Sequence, residues 1–168
     1  RPGGGGGTGH SEVDVCGAWD GVFPAGAFPV TPADKDNLQA LLVTHKVLRL
    51  APGDYRDKGP ASIKLSSDQA IVSLLPSSFP DVVVAAGTTH ARLSGLQYTT
   101  ISYEPGAPIR YNCFYRLKAV SVRATAATVE RNLFVALAES TLTVDTSAGG
   151  LFSDNRFIKL NSHGGGVP

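Results

Sequence analysis

Methionine is absent from this chain, tryptophan occurs once and cysteine twice. Two cysteines make no metal site on their own. Cys16 and Cys113 fit a disulfide, two buried thiols, or one of each. Charge is sparse and balanced, 15 Lys and Arg against 14 Asp and Glu, for a net charge of +1. That balance gives no electrostatic case for a nucleic-acid partner or an anionic membrane surface. No apolar run approaches the ~20 residues that a membrane span needs. The chain opens on Arg1-Pro2 and five glycines, not on the basic-then-apolar pattern of a secretory signal. With no initiator Met and a loop-like close at Asn161–Pro168, the expectation is an excerpt or processed piece of a longer product.

What is present divides into two parts. Residues 1–30 read as a flexible Gly-rich lead followed by an aromatic arm with Trp19, Phe23 and Phe28. The glycines lack the preceding strand and following helix that phosphate binding requires, and the aromatics suit an arm pinned to a core or to a partner chain. Residues 31–168 open on a helix. Thr31 is a cap, Pro32 suits the first helical position and Asp34 completes a capping box. Leu38, Leu41, Leu42 and His45 share one face, so the spacing predicts a helix over about 32–44.

Beyond residue 46 the period shortens. Val47–Leu50, Ser62–Leu65, Ala70–Leu74, Asp81–Val84 and Ala91–Leu93 are short β-prone runs separated by Pro and Gly. Such a series builds a sandwich, a barrel or a solenoid. Internal similarity favours the last. Asn112-x-Phe114-x-x-Leu117, Asn132-x-Phe134-x-x-Leu137 and Asn155-x-Phe157-x-x-Leu160 are spaced 20 and then 23 residues apart. A period of that length with short strands in each unit is one coil of a parallel solenoid, whose apolar positions become a core only by stacking on the next coil. The three Phe would form one file and the three Leu another. Each Asn would take the positive φ of a sharp corner, and its amide would bond the next Asn.

With Ala33–Leu41, Val47-Leu-Arg-Leu-Ala-Pro-Gly-Asp-Tyr55 and Ser62–Ser66, the chain resembles the pectate-lyase-like superfamily of right-handed parallel β-helices. That superfamily includes phage tailspikes and polysaccharide-degrading enzymes. The resemblance spans about residues 31–160 and implies an all-β fold: a right-handed parallel β-helix with an N-terminal capping α-helix, continuing beyond the excerpt. A cap also has its own physical reason, since an open solenoid end exposes apolar cross-section and strand edges.

Function is less legible. Glycoside hydrolysis needs two carboxylates at close range. Glu130 and Asp154, flanking equivalent corners about one coil apart, are the catalytic candidates among Glu130, Glu139, Asp145 and Asp154. Arg123, Arg131 and Arg156 are the binding candidates, because a guanidinium holds a sugar carboxylate bidentately. Nothing resembles an acidic Ca²⁺ cluster, and His10, His45, His90 and His163 lack metal-ligand spacing. No metal, no cofactor and no membrane span is expected. The leading expectation is a structural, glycan-binding β-helix of virion or extracellular location, such as part of a phage tail spike or fibre. The resemblance implies a homotrimer that contacts a surface glycan and other virion proteins. The rival expectation is an extracellular polysaccharide lyase or glycoside hydrolase. A third is a sandwich of viral-coat type, with mostly antiparallel strands.

Overall fold

A computed structural model describes residues 26–136 and 139–159. Cys16, Trp19, Phe23, His10, His163, Leu137 and Leu160 lie outside the described residues.

The chain enters through β1 (Phe28–Val30) and turns at Thr31. The Thr31 N–H donates to Asp34 Oδ2 at 2.9 Å and its hydroxyl to the same oxygen at 3.3 Å. The helical segment differs from the expected single helix. Pro32–Asn37 is a 3₁₀ turn, and the α-helix proper, α1, runs Leu38–His45. Pro32 supplies no N–H, and the Asp and Asn side chains of Asp34–Asn37 compete for nearby backbone groups. A tight i→i+3 start is the physical result. Leu38 and Leu42 are fully buried, Leu41 packs against the same core, and the His45 ring stacks on Phe28 at 3.7 Å. Lys46, at φ 68°, ends the helix while its N–H bonds the Leu42 carbonyl.

Thirteen strands follow or frame this helix, and among the described residues every pairing between them is parallel. An antiparallel sandwich is therefore excluded for this part of the chain. One sheet is ordered β1, β2 (Val47–Leu50), β4 (Ala70–Ser78), β6 (Arg92–Gln97), β9 (Cys113–Leu117), β11 (Leu133–Ala136) and β13 (Arg156–Lys159). The other is ordered β12 (Thr141–Ser153), β10 (Ser121–Glu130), β7 (Thr100–Tyr103), β5 (Asp81–Val84) and β3 (Ser62–Leu65), with β8 (Ile109–Arg110) beside β10. From β2 onward the chain passes from one sheet to the other and back. It is a parallel all-β architecture with one short N-terminal helix, compatible with a β-helix or solenoid. α1 packs on β2 and β3, the early strands of the two sheets.

The core lies between the sheets as files of like residues. Leu48, Ile71, Leu93, Phe114, Phe134 and Phe157 are successive register partners. The ring centroids of Phe114 and Phe134 are 5.2 Å apart, and those of Phe134 and Phe157 are 5.0 Å apart. Ile63, Val82, Ile101 and Val122 form the facing file. Tyr55 seals the first turn, its buried hydroxyl lying 2.6 Å from the Ala51 carbonyl and 3.1 Å from that of Val30. The register of β10 and β12 shifts between Ala126↔Thr146 and Thr128↔Leu151. There β12 takes the longer path, which absorbs the excess of the 23-residue spacing over the 20-residue one.

Candidate functional site

Each Asn of the repeat stands immediately before a strand of the seven-stranded sheet: Asn112 before β9, Asn132 before β11, Asn155 before β13. Asn112 and Asn132 are wholly buried. A buried amide is tolerated only when its donors and acceptor are all engaged, and here they form a ladder. The Ala91 N–H donates to Asn112 Oδ1 at 3.2 Å, the Asn112 N–H to Asn132 Oδ1 at 3.0 Å and the Asn132 N–H to Asn155 Oδ1 at 3.0 Å. The Nδ2 groups reach back across the corner, Asn112 to the Thr88 carbonyl, Asn132 to that of Ile109 and Asn155 to that of Val129.

The positive φ expected on these asparagines falls instead on the residue before each one: Tyr111 at 58°, Arg131 at 55° and Asp154 at 54°, with His90 at 58° in the preceding turn. The cause is directional. The Asn N–H must point along the stack to meet the next Oδ1, so the reversal is made one residue earlier.

That displacement gives the corner its outer surface. The left-handed residues form a row outside the ladder. The His90 and Tyr111 rings stack at 5.5 Å with parallel planes. The Arg131 guanidinium carbon sits 6.0 Å from the Tyr111 ring centroid, and Arg131 Nε lies 4.0 Å from Asp154. Glu130, half-buried beside the row, accepts an ion pair from Arg110 Nε at 2.7 Å. The corner thus offers flat aromatic and guanidinium groups together with carboxylates, the inventory from which sugar hydroxyls and sugar acids are held.

The structure brings Arg131, Asp154 and Glu130 to this one corner, and each acid meets an arginine. Arg123 lies elsewhere, on the exposed outer side of β10 between Ser102 and Thr143 in register. Arg156 opens β13 in register with Leu133. The three arginines therefore occupy three separate strips. Sequence reasoning missed Tyr111, His90 and Arg110, because they belong to no repeated motif. Their only signal is position: Tyr111 immediately before Asn112, His90 one period before Tyr111, and Arg110 one period before Glu130.

A second corner repeats the device with hydroxyls. Tyr98, Ala119 and Glu139 have positive φ before Thr99, Val120 and Ser140. The Val120 N–H donates to Ser140 Oγ at 3.2 Å, and the Ser140 hydroxyl to the Leu117 carbonyl at 3.2 Å. Inside the stack, burial pushes the Tyr103 phenol well up, and the neighbouring Asn112 amide offsets part of that shift. At the N-terminal end, an apolar groove of about 480 Å³ is bounded by Val30, Arg49, Leu50, Pro52, Leu74 and Leu75. Among the described residues no three His, Cys, Asp or Glu side chains converge as metal ligands, and no helix is long and apolar enough to cross a membrane. No protein family, curated protein or solved structure matches the chain.

Proposed function

We propose that this chain forms a right-handed parallel β-helix of pectate-lyase-like type that serves as a scaffold and a glycan-binding surface, as in a phage tail spike or fibre. The observation that carries the reading is the corner row His90–Tyr111–Arg131–Asp154, held on an in-register ladder of buried asparagines. A repeating ligand suits a repeating surface, and planar groups one coil apart supply both stacking and bidentate hydrogen bonds. The disulfide-bonded state of Cys113 supports an extracellular or virion location, since disulfides persist in oxidising surroundings. Homotrimeric assembly and contact with other virion proteins belong to the same reading.

The test is titration of the full chain with a panel of neutral and acidic polysaccharides. The expected result is binding to at least one, weakened several-fold in Arg131→Ala and Tyr111→Ala, without new reducing ends or unsaturated products. Binding to an acidic glycan should also fall with salt, because an exposed ion pair is screened. Failure to bind any polysaccharide removes the glycan-binding half of the proposal. Turnover during the titration replaces it with the enzyme reading, which rests on Glu130 lying in register with Ser153, the neighbour of Asp154. In that case Glu130→Gln and Asp154→Asn should abolish product formation.

A further inference from the structure

The two sheets differ sharply on their outer faces. Lys64, Asp81, Arg123 and Thr125 point outward from the β3–β10 sheet and are exposed, as alternation of buried and solvated side chains demands. Along the middle of the other sheet the outward-facing Ala70, Val72, Ser94, Cys113, Leu133 and Val135 are all less than 5 % exposed, while Arg92, Tyr115, Arg156 and Ile158 beside them are half-buried and Arg49 on β2 is exposed. They are not part of the interior: Cys113, Leu133 and Val135 form an apolar cluster of their own with Tyr115 and Ile158, separate from the core that holds Phe114 and Phe134. Buried side chains on the solvent side of a sheet require a cover. In the same strip desolvation pulls the Arg92 guanidinium down, partly offset by Asp68.

Cys113 sits in the middle of this strip and is disulfide-bonded, while Cys16 is the only other cysteine of the chain. We propose that residues 11–25 lie across the outer face of the β1–β13 sheet as a strap, anchored by a Cys16–Cys113 disulfide. The segment has suitable side chains for an apolar strip in Val13, Val15, Trp19, Val22 and Phe23. Its reach is ample. Cys113 begins β9, four strands along the sheet from β1, a distance of about 19 Å at the usual strand spacing. The twelve residues from Cys16 to Phe28 extend to about 40 Å. The bond forms when the two thiols surrender two protons and two electrons to a thiol–disulfide oxidoreductase or a small-molecule disulfide. The strap does not depend on glycan binding, and it turns an aggregation-prone apolar face into a closed one.

Non-reducing peptide mapping of the full chain by mass spectrometry tests the link. A single cross-linked pair of peptides, one bearing Cys16 and one bearing Cys113 of the same copy, is expected. Free thiols at both positions, or a link that joins two copies, overturns the proposal. Trp19, the only tryptophan, reports the cover. In the oxidised chain its emission should be blue-shifted and shielded from acrylamide. Gentle reduction, or Cys16→Ser in a chain of unchanged far-ultraviolet circular dichroism, should raise quenching and binding of a hydrophobic dye several-fold. Quenching of Trp19 in the oxidised chain as strong as in denaturant also overturns it.

Discussion

The backbone N–H of Asn112 donates to the side-chain oxygen of Asn132, 20 residues further along the chain and 3.0 Å away. A side chain thereby does the work of a ladder carbonyl where the strands turn. The corner is held from within, and the residues outside it are left to vary.

Asn132 is the central member of that ladder, and its Nδ2 also contacts the Glu130 carbonyl and Asn155 Oδ1. Asn132→Ala should therefore strand the Asn112 N–H and lower stability by about 3 kcal/mol, the scale of an unsatisfied buried group. Asn132→Asp should cost more, because a carboxylate oxygen would then face the Ile109 carbonyl. Urea denaturation of the two variants checks both the size and the order.

Phe134 is fully buried between Phe114 and Phe157. Phe134→Ala should cost about 3–5 kcal/mol through lost transfer energy and a cavity. Phe157→Ala should cost less, since Phe157 is only partly buried. Equal losses at the two positions would contradict a stacked interior file.

Two backbone positions give opposite expectations. Gly95 has φ +74°, and a Cβ there would lie 1.9 Å from the Ser73 carbonyl oxygen. Gly95→Ala should prevent folding or leave the chain in aggregates. Ala119, at φ 50°, holds a left-handed conformation that costs a side-chain-bearing residue about 1–2 kcal/mol. Ala119→Gly should raise the midpoint of thermal unfolding slightly and Ala119→Val should lower it.

Alkaline stability follows from the tyrosines. Burial, aided by the charge of Asp34, raises the Tyr55 phenol from 10.0 to about 12. The neutral form is thus favoured by the folded chain. Below pH 10 this contribution is fully present. As the pH climbs from 10 to about 12 the unfolded chain releases the proton first, and stability falls. Tyr103 shifts in the same direction through burial. Phenolate absorbance should show these two groups titrating only together with unfolding, and Tyr55→Phe should flatten the decline.

Strand positions were largely readable. The runs Val47–Leu50, Ser62–Leu65 and Asp81–Val84 match β2, β3 and β5 residue for residue, because alternation and Pro/Gly punctuation act locally. The Asn-x-Phe spacing likewise mapped onto successive parallel strands. The corner geometry was not readable. His90, Tyr111, Arg131 and Asp154 share a backbone conformation but no side-chain chemistry, so composition carries no trace of it. The earlier turns place Gln69 and Ala91 where the later ones have Asn, which hid them from a search for repeats. The covered sheet face was also missed, although Cys113, Leu133 and Val135 leave an apolar signal at the outward positions of β9 and β11. The candidate site was half visible: its acids and Arg131 followed from spacing, while Tyr111 and His90 emerged only once the coils were stacked.

The longer path of β12 opposite β10 has a consequence for how this chain can diversify. Extra residues there leave the Asn corner on one side and the Phe file on the other in register. That edge can accept insertions of several residues as a surface loop, whereas a single added residue at the corner would turn the following strand inside out.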